Sequence, residues 1–297
     1  MSFLLGCPFV KFIKQADTIS IKRMIHALVG GMEDARSNKK IHASDLTNED
    51  REFCPRERVL VSKLDLKPKP RMISAPMRMT FDLGWATQQV LNDKWLRDRM
   101  VGSWKCQSCS ATRAFTPFPK DGCNNIKAWC NWKYQEMVFI HQDIPMFSGS
   151  IDAFVDVGQP KLHMVEVKIM DKDYFKALKA PLSEHKLRTN LYLRLIAEST
   201  TSFKEFIDTS VATVLYVMRG FGSKGDDGEI SPLKEFHVKR NDADTDHLIK
   251  LAADAAKGLE GGDIPDGICH SMTCPRASKC PVASECFSGK WGSFLAS

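Results

Sequence analysis

Apolar and polar residues alternate with a period of two from Ser150 to Val157. Ile151, Ala153, Val155 and Val157 fall on one face, and Ser150, Asp152, Phe154 and Asp156 on the other. Successive side chains of a strand point to opposite faces, so this pattern predicts a strand. Turn residues follow at Gly158-Gln159-Pro160. Lys161 to Met170, rich in Val, Ile and Met, predicts a second strand paired with the first as a hairpin. Trp132 to Ile140 leads into the same sheet, Val211 to Arg219 reads as a buried strand, and Leu233 to Val238 as another, with Gly222 to Gly228 as the loop between them. Helical spacing recurs around Ile19 to Met32, from Met79 to Trp95, and from Asp244 to Leu259 with Leu248, Leu251 and Ala255 inward. It recurs again after Pro181, where Leu187, Leu191 and Leu195 stand at i, i+4 and i+8. Helices and strands so interleaved predict an α/β fold, a central mixed sheet flanked by helices.

The 297 residues can bury a large core. They divide into an N-terminal helical appendage, residues 1–50, and a main domain, residues 51–297. No run is long enough to span a membrane. Phe3 to Cys7 is too short and lacks the cationic start of a signal peptide, so a soluble cytoplasmic protein without a membrane partner is expected. The net charge of +6 is modest, but its distribution is uneven. Lys63, Lys67, Lys69, Arg71 and Arg78 form one basic stretch, and Lys172, Lys176, Lys179, Lys186, Arg188 and Arg194 another. Basic groups of this kind hold a phosphate backbone, although any one of them is equally an ordinary solvated residue. Walker, Rossmann, coiled-coil and repeat patterns are missing, which excludes a nucleotide-driven motor.

The candidate chemistry lies on the hairpin. Glu166 and Lys168, two apart, share a face, and Asp152 on the neighbouring strand can join them. Two close carboxylates repel unless a cation lies between them, and hard oxygen ligands with room for water and phosphate suit Mg²⁺ or Mn²⁺. Such an ion can activate water and neutralise charge developing on a phosphodiester, with Lys168 orienting the water or stabilising that charge. The alternative is a surface strand whose Glu and Lys are solvated partners.

The ten cysteines fall in clusters, which in an intracellular chain points to metal more than to disulfides. Cys106 and Cys109 form a Cys-x-x-Cys knuckle, followed by Cys123 and Cys130. With Cys130 as fourth ligand and His141 in reserve, they predict a Zn²⁺ site in a zinc-ribbon-like insertion, residues 102–136. Trp129, Trp132 and Tyr134 would cover it, and free buried thiols are the alternative. Cys269, Cys274, Cys280 and Cys286 crowd the segment 265–288, while Cys7 reads as a small buried hydrophobe.

Gly149-Ser150-Ile151-Asp152 and Glu166-Val167-Lys168 resemble the Gly-x-x-Asp and Glu-x-Lys motifs of the PD-(D/E)XK nuclease superfamily. Within it the chain is similar to the RecB-type and CRISPR-associated adaptation nucleases, viral members included, that carry an iron–sulfur cluster. The resemblance runs from about Cys54 to Phe287. It implies a restriction-endonuclease-like core in which Asp152, Glu166 and the Val167 carbonyl hold the metal. Arg188 and Tyr192 match a Gln-x-x-x-Tyr motif with Arg in place of Gln; this Arg could hold a phosphate or simply pair with Glu184. Gln88 stands where the family's Gly-x-x-x-His places a histidine, and is expected near the site. The resemblance also implies a [4Fe–4S] staple in which Cys54 joins Cys280, Cys286 and either Cys269 or Cys274; a local four-cysteine metal site without Cys54 is the alternative.

The expected function is therefore Mg²⁺- or Mn²⁺-dependent hydrolysis of DNA. The substrate would be single strands or duplex ends in recombination, repair or viral DNA metabolism, with recombination or replication proteins as candidate partners. Two alternatives are a non-catalytic nucleic-acid-binding protein with zinc and iron–sulfur structural sites, and an endonuclease subunit of a larger complex.

Overall fold

The computed structural model describes residues 31–33, 40–66, 71–123, 130–219 and 231–291. The chain divides into two compact units, residues 1–35 with 69–83, and residues 36–68 with 84–297. Along the chain, β1 (Gly31–Glu33) precedes β2 (Ile41–His42), α1 (Ala43–Leu46) and α2 (Pro55–Lys63); β3 (Arg71–Ile73) then pairs antiparallel with β1 in the first unit. The expected helix from Ile19 lies outside the described residues except at its end, where Met32 stands in β1. Helix α3 (Ala75–Val90) continues into a π-turn at Leu91–Trp95, so it starts four residues before the expected Met79 and its helical path ends at the expected Trp95.

In the second unit, β4 (Val101–Cys106), β5 (Thr112–Pro117) and β6 (Trp132–Gln135) form a small sheet in the order β5-β4-β6. The segment Trp132 to Ile140 is thus two strands. Its first half belongs to the insertion, and β7 (Met137–Ile140) alone enters the core, paired antiparallel with β8 (Phe147–Ile151). Next come β9 (Ala153–Val155), β10 (Leu162–Met170), α4 (Lys172–Ala177), α5 (Ser183–Ala197), β11 (Ile207–Met218), β12 (Leu233–Lys239), α6 (Asp246–Leu259) and α7 (Ala283–Phe287). The expected loop from Gly222 to Gly228 lies outside the described residues.

The central sheet runs β12-β11-β10-β9, parallel between β10 and β11 and antiparallel elsewhere, so the expected mixed α/β sheet is present. Ala212, Val214, Tyr216 and Val217 of β11 are fully buried. A strand covered on both faces carries a near-continuous apolar run, which is why Val211 to Arg219 is legible without alternation.

The hairpin departs from the simple alternation. The strand is interrupted at Asp152, and the side-chain sequence changes face there. Ile151 and Phe154 pack together in the main core, whereas Ala153 and Val155 pack with Trp104, Tyr134 and Cys106 of the insertion. Val157, expected inward, is exposed. Both faces of β9 are covered, so the period-two reading mistook a break for a continuous pleat.

Leu191, Leu193, Leu195 and Ile196 of α5 are completely buried against Ile41, Phe139, Phe147, Phe154 and Met164. The expected boundary at residue 50 does not separate an appendage here: β2 pairs parallel with β8, and Ile41, Ala43 and Leu46 sit in the main core. The C-terminal segment folds back on α2, where the buried Arg56 donates to the carbonyls of Pro265 at 3.3 Å and Trp291 at 3.2 Å.

Gly149 sets how closely α5 approaches the sheet. A Cβ there would lie 2.8 Å from Tyr192 Cε1 and 2.9 Å from Leu195 Cδ2, and both of those side chains are buried and cannot yield. Gly149→Ala should therefore cost about 1–3 kcal/mol, as overpacked cores do, read as a lower urea midpoint. An unchanged midpoint would show that the interface accommodates the methyl group.

Candidate active site

Asp152 lies between β8 and β9 with no strand pairing of its own, and its Oδ2 accepts the Val167 backbone N–H at 2.8 Å. The β9–β10 ladder ends at Ala153↔Val165, so a side chain supplies the acceptor where the backbone pairing stops. This fixes the Asp152 carboxylate beside Glu166. Lys168 Nζ donates to Glu166 Oε1 at 2.5 Å. The three motif residues are therefore brought together as the spacing suggests.

Glu166 is only 2% exposed, and its second oxygen, Oε2, is buried without a hydrogen-bond partner. Burial, then the charge of Asp152, pushes its carboxyl up to about 7 against the pull of Lys168. Burial would depress the Lys168 ammonium, but Glu166 and Asp152 outweigh it and hold its pKa above the ordinary value. A buried carboxylate oxygen with nothing to bind is costly. Its donor type and setting fit a hard divalent cation.

Tyr192 is buried under the cluster, its phenol pushed up by burial and by Glu166 and Asp152. Arg188 is engaged by Glu184 one turn away and by Thr47 Oγ1 at 3.0 Å, which is the pairing alternative raised by the sequence; its charge still reaches Glu166. Arg194, counted among the basic groups, is committed to Glu198 and Asp246. Lys176, Lys179 and Lys186 are exposed.

Several neighbours carry no motif. Glu136, just before β7, is hydrogen-bonded by the Gln88 side chain. Burial and then Asp152 push its carboxyl up, while Lys168 opposes the shift. Gln88 thus makes its contact to Glu136. His185 Nδ1 lies 2.8 Å from the Tyr216 hydroxyl, and burial, Lys168 and Arg188 lower its pKa to about 4. Register could have found these two, since Tyr216 is the β11 neighbour of Lys168 and His185 lies one turn before Arg188.

The thiols of Cys106, Cys123 and Cys130 lie within 4.8 Å of one another, and Cys109 hydrogen-bonds to Cys106 and Cys123. Burial pushes Cys106 up, but the N–H groups of Cys109 and Ser108 outweigh it and bring the thiol down to about 6. Four thiolates at zinc-bonding distance would stand about 3.8 Å apart, so the set is compact enough for one tetrahedral ion. His141, the reserve ligand, is instead paired with Glu198 at 2.9 Å. Trp132 and Tyr134 cover the site as expected; Trp129, like Cys7, lies outside the described residues.

Cys54, Cys269, Cys280 and Cys286 line a common small cavity with Glu57 and Arg276. Cys274 is not among its walls, and its thiol accepts the Ala277 N–H at 3.3 Å. Among the described residues, no three of these five thiols come within 4.8 Å of one another. Cys269 and Cys274 are hydrogen-bonded to each other.

No family model and no curated protein matches the sequence. Solved structures with a similar chain path include the alkaline exonuclease LHK-Exo of Laribacter hongkongensis, 12% identical over 80% of this chain and 92% of that one, with a TM-score of 0.40. LHK-Exo in complex with dAMP is 12% identical over 75% and 88%, with a TM-score of 0.42. SSO0001 is 14% identical over 79% and 82%, with a TM-score of 0.34. Among the described residues, no helix is long and apolar enough to cross a membrane.

A carboxyl whose folded pKa is raised binds protons more tightly when folded than unfolded. With divalent ions chelated, stability should therefore fall as pH rises from the ordinary 4.5 to about 7, by up to roughly 3 kcal/mol. Glu166→Gln should flatten that slope in denaturant titrations at successive pH values; an identical slope in the variant would assign the effect to another group.

Proposed function

We propose that this chain is a divalent-metal-dependent deoxyribonuclease, acting as an exonuclease on single strands or duplex ends in recombination, repair or viral DNA metabolism. The observation that carries the reading is the buried, unpartnered Oε2 of Glu166 beside Asp152 and Lys168. Asp152, Glu166 and the Val167 carbonyl would hold Mg²⁺ or Mn²⁺. When bound there, the ion supplies Lewis-acid charge to a phosphodiester.

The remaining chemistry belongs to the chain. Lys168 stays protonated near neutral pH because the carboxylates favour its charged form. Its role is therefore to orient water and stabilise negative charge on the phosphoryl oxygens, not to abstract a proton. Glu166 positions the ammonium through its 2.5 Å contact. Tyr192 supports the carboxylates from the core side, and Arg188 adds positive charge while anchored to Glu184 and Thr47. Lys176, Lys179 and Lys186 lie after the site in the chain, exposed and able to meet a phosphate backbone.

The cysteine sets fit two structural groups. Cys106, Cys109, Cys123 and Cys130 would hold Zn²⁺, stabilising an insertion with little core of its own. Cys54, Cys269, Cys280 and Cys286 would hold a [4Fe–4S] cluster; the cavity walls favour Cys269 over Cys274. Both groups need reduced thiols, which implies an intracellular setting.

The test is cleavage of end-labelled single- and double-stranded DNA by anaerobically purified protein with Mn²⁺ or Mg²⁺. Lys168→Ala should slow cleavage on the order of 10³-fold and leave DNA binding nearly unchanged. Equal loss of both would remove its catalytic role, and a wild type that binds DNA without cutting would favour a nucleic-acid-binding protein. Separately, Cys106→Ser should release zinc and lower the melting temperature; one zinc per chain retained in that variant would refute the insertion site.

A further inference from the structure

The row of carboxylates is longer than the motifs. β7 pairs with β8 up to Met137↔Ile151, so Glu136 and Asp152 both flank the last pair of that ladder. β9 pairs with β10 up to Ala153↔Val165, so Asp152 and Glu166 likewise flank the last pair of theirs. Asp152 therefore has a carboxylate to each side. Its charge raises the pKa of both neighbours, as like charges in one site do.

Glu136 is solvent-exposed at the edge of the site. Its charge couples to Asp152 and Lys168 and is felt by Tyr192 and Tyr134. The positive groups at hand do not neutralise the row. Lys168 is taken up by Glu166, and Arg188 is bound to Glu184 and Thr47. Three carboxylates thus face one ammonium. The buried Glu166 side chain, 3% exposed, keeps an oxygen without a partner in the same cluster, while the Gln88 amide holds Glu136 in place at its outer end.

We propose that Glu136 is a third carboxylate ligand of the divalent cation bound at this site, with Gln88 as the residue that orients it. The inference rests on the cation reading given above and is independent of whether the bound ion serves hydrolysis. It gives Gln88 a function without direct ligation, since an amide N–H donated to a carboxylate fixes the orientation of the ligand oxygens. It also gives the cation a part in offsetting the repulsion between Glu136 and Asp152.

Mn²⁺ titration of the full chain, with free ion counted by electron paramagnetic resonance, tests this directly. Wild type should bind Mn²⁺, and Glu136→Gln should bind it at least about tenfold more weakly, within the range that loss of a supporting metal-site partner produces. In EDTA the melting temperature of the variant should equal or exceed that of wild type, because one like charge has been removed, whereas Mn²⁺ should raise it less than in wild type. Unchanged Mn²⁺ affinity and stoichiometry in Glu136→Gln would overturn the proposal, as would a wild type that takes up no Mn²⁺. A wild type that binds Mn²⁺ through Glu136 yet leaves DNA intact would sink the nuclease reading alone.

Discussion

The bond from the Val167 N–H to Asp152 Oδ2 decides the shape of the site. A continuous strand would turn Asp152 by pleat parity alone and leave its carboxylate free to swing. Here the chain breaks at that residue and the side chain enters the sheet's own hydrogen bonding. One oxygen is spent on the backbone, and the carboxyl group is pinned beside β10, next to the more deeply buried Glu166. The same break lets β8 face α5 while β9 serves both the main core and the insertion. Geometry of the acids and division of the core are thus one feature.

Around it, the fold opposes electrostatics to packing. Gly149 permits Tyr192 to press onto the sheet, which excludes water from Glu166 and raises the free energy of its charged form. Lys168 answers part of that cost, and Arg188, held by Glu184, a little more. The remainder is visible as an elevated carboxyl and an oxygen without a donor. Packing has been arranged to keep charge where the protein alone does not stabilise it, which is characteristic of sites built for a ligand or for chemistry.

The sequence disclosed the elements whose signal is local. Glu166 and Lys168 lie two apart on an apolar strand, β11 is a buried run, and α5 repeats Leu at helical spacing, so each is readable from its own residues. Cys106 to Cys130 converge as their clustering suggested. What stayed hidden depends on pairing. Glu136 has no motif, and its nearness to Asp152 follows only once the β7–β8 ladder is seen to end at Met137↔Ile151. The break at Asp152 left no trace in the alternation because Phe154, which occupies the polar face of that pattern, is itself buried. The role of Ile41 to Leu46 depends on a two-residue parallel pairing to β8, too short for any periodicity to report. His141 looked like a spare ligand by composition, and only its neighbour Glu198 shows that it is already satisfied.

Arg56 reaches the carbonyls of Pro265 and Trp291, 209 and 235 residues further along the chain. Contacts of that separation close a long loop, whose entropy cost must be met before the contact is favourable. During synthesis, α2 therefore leaves the ribosome long before its partner exists, with Leu60 and Cys54 uncovered in the meantime. The C-terminal segment acts as a clasp on α2, and until residues 264–291 are in place that helix keeps an apolar face and the Cys54 thiol uncovered.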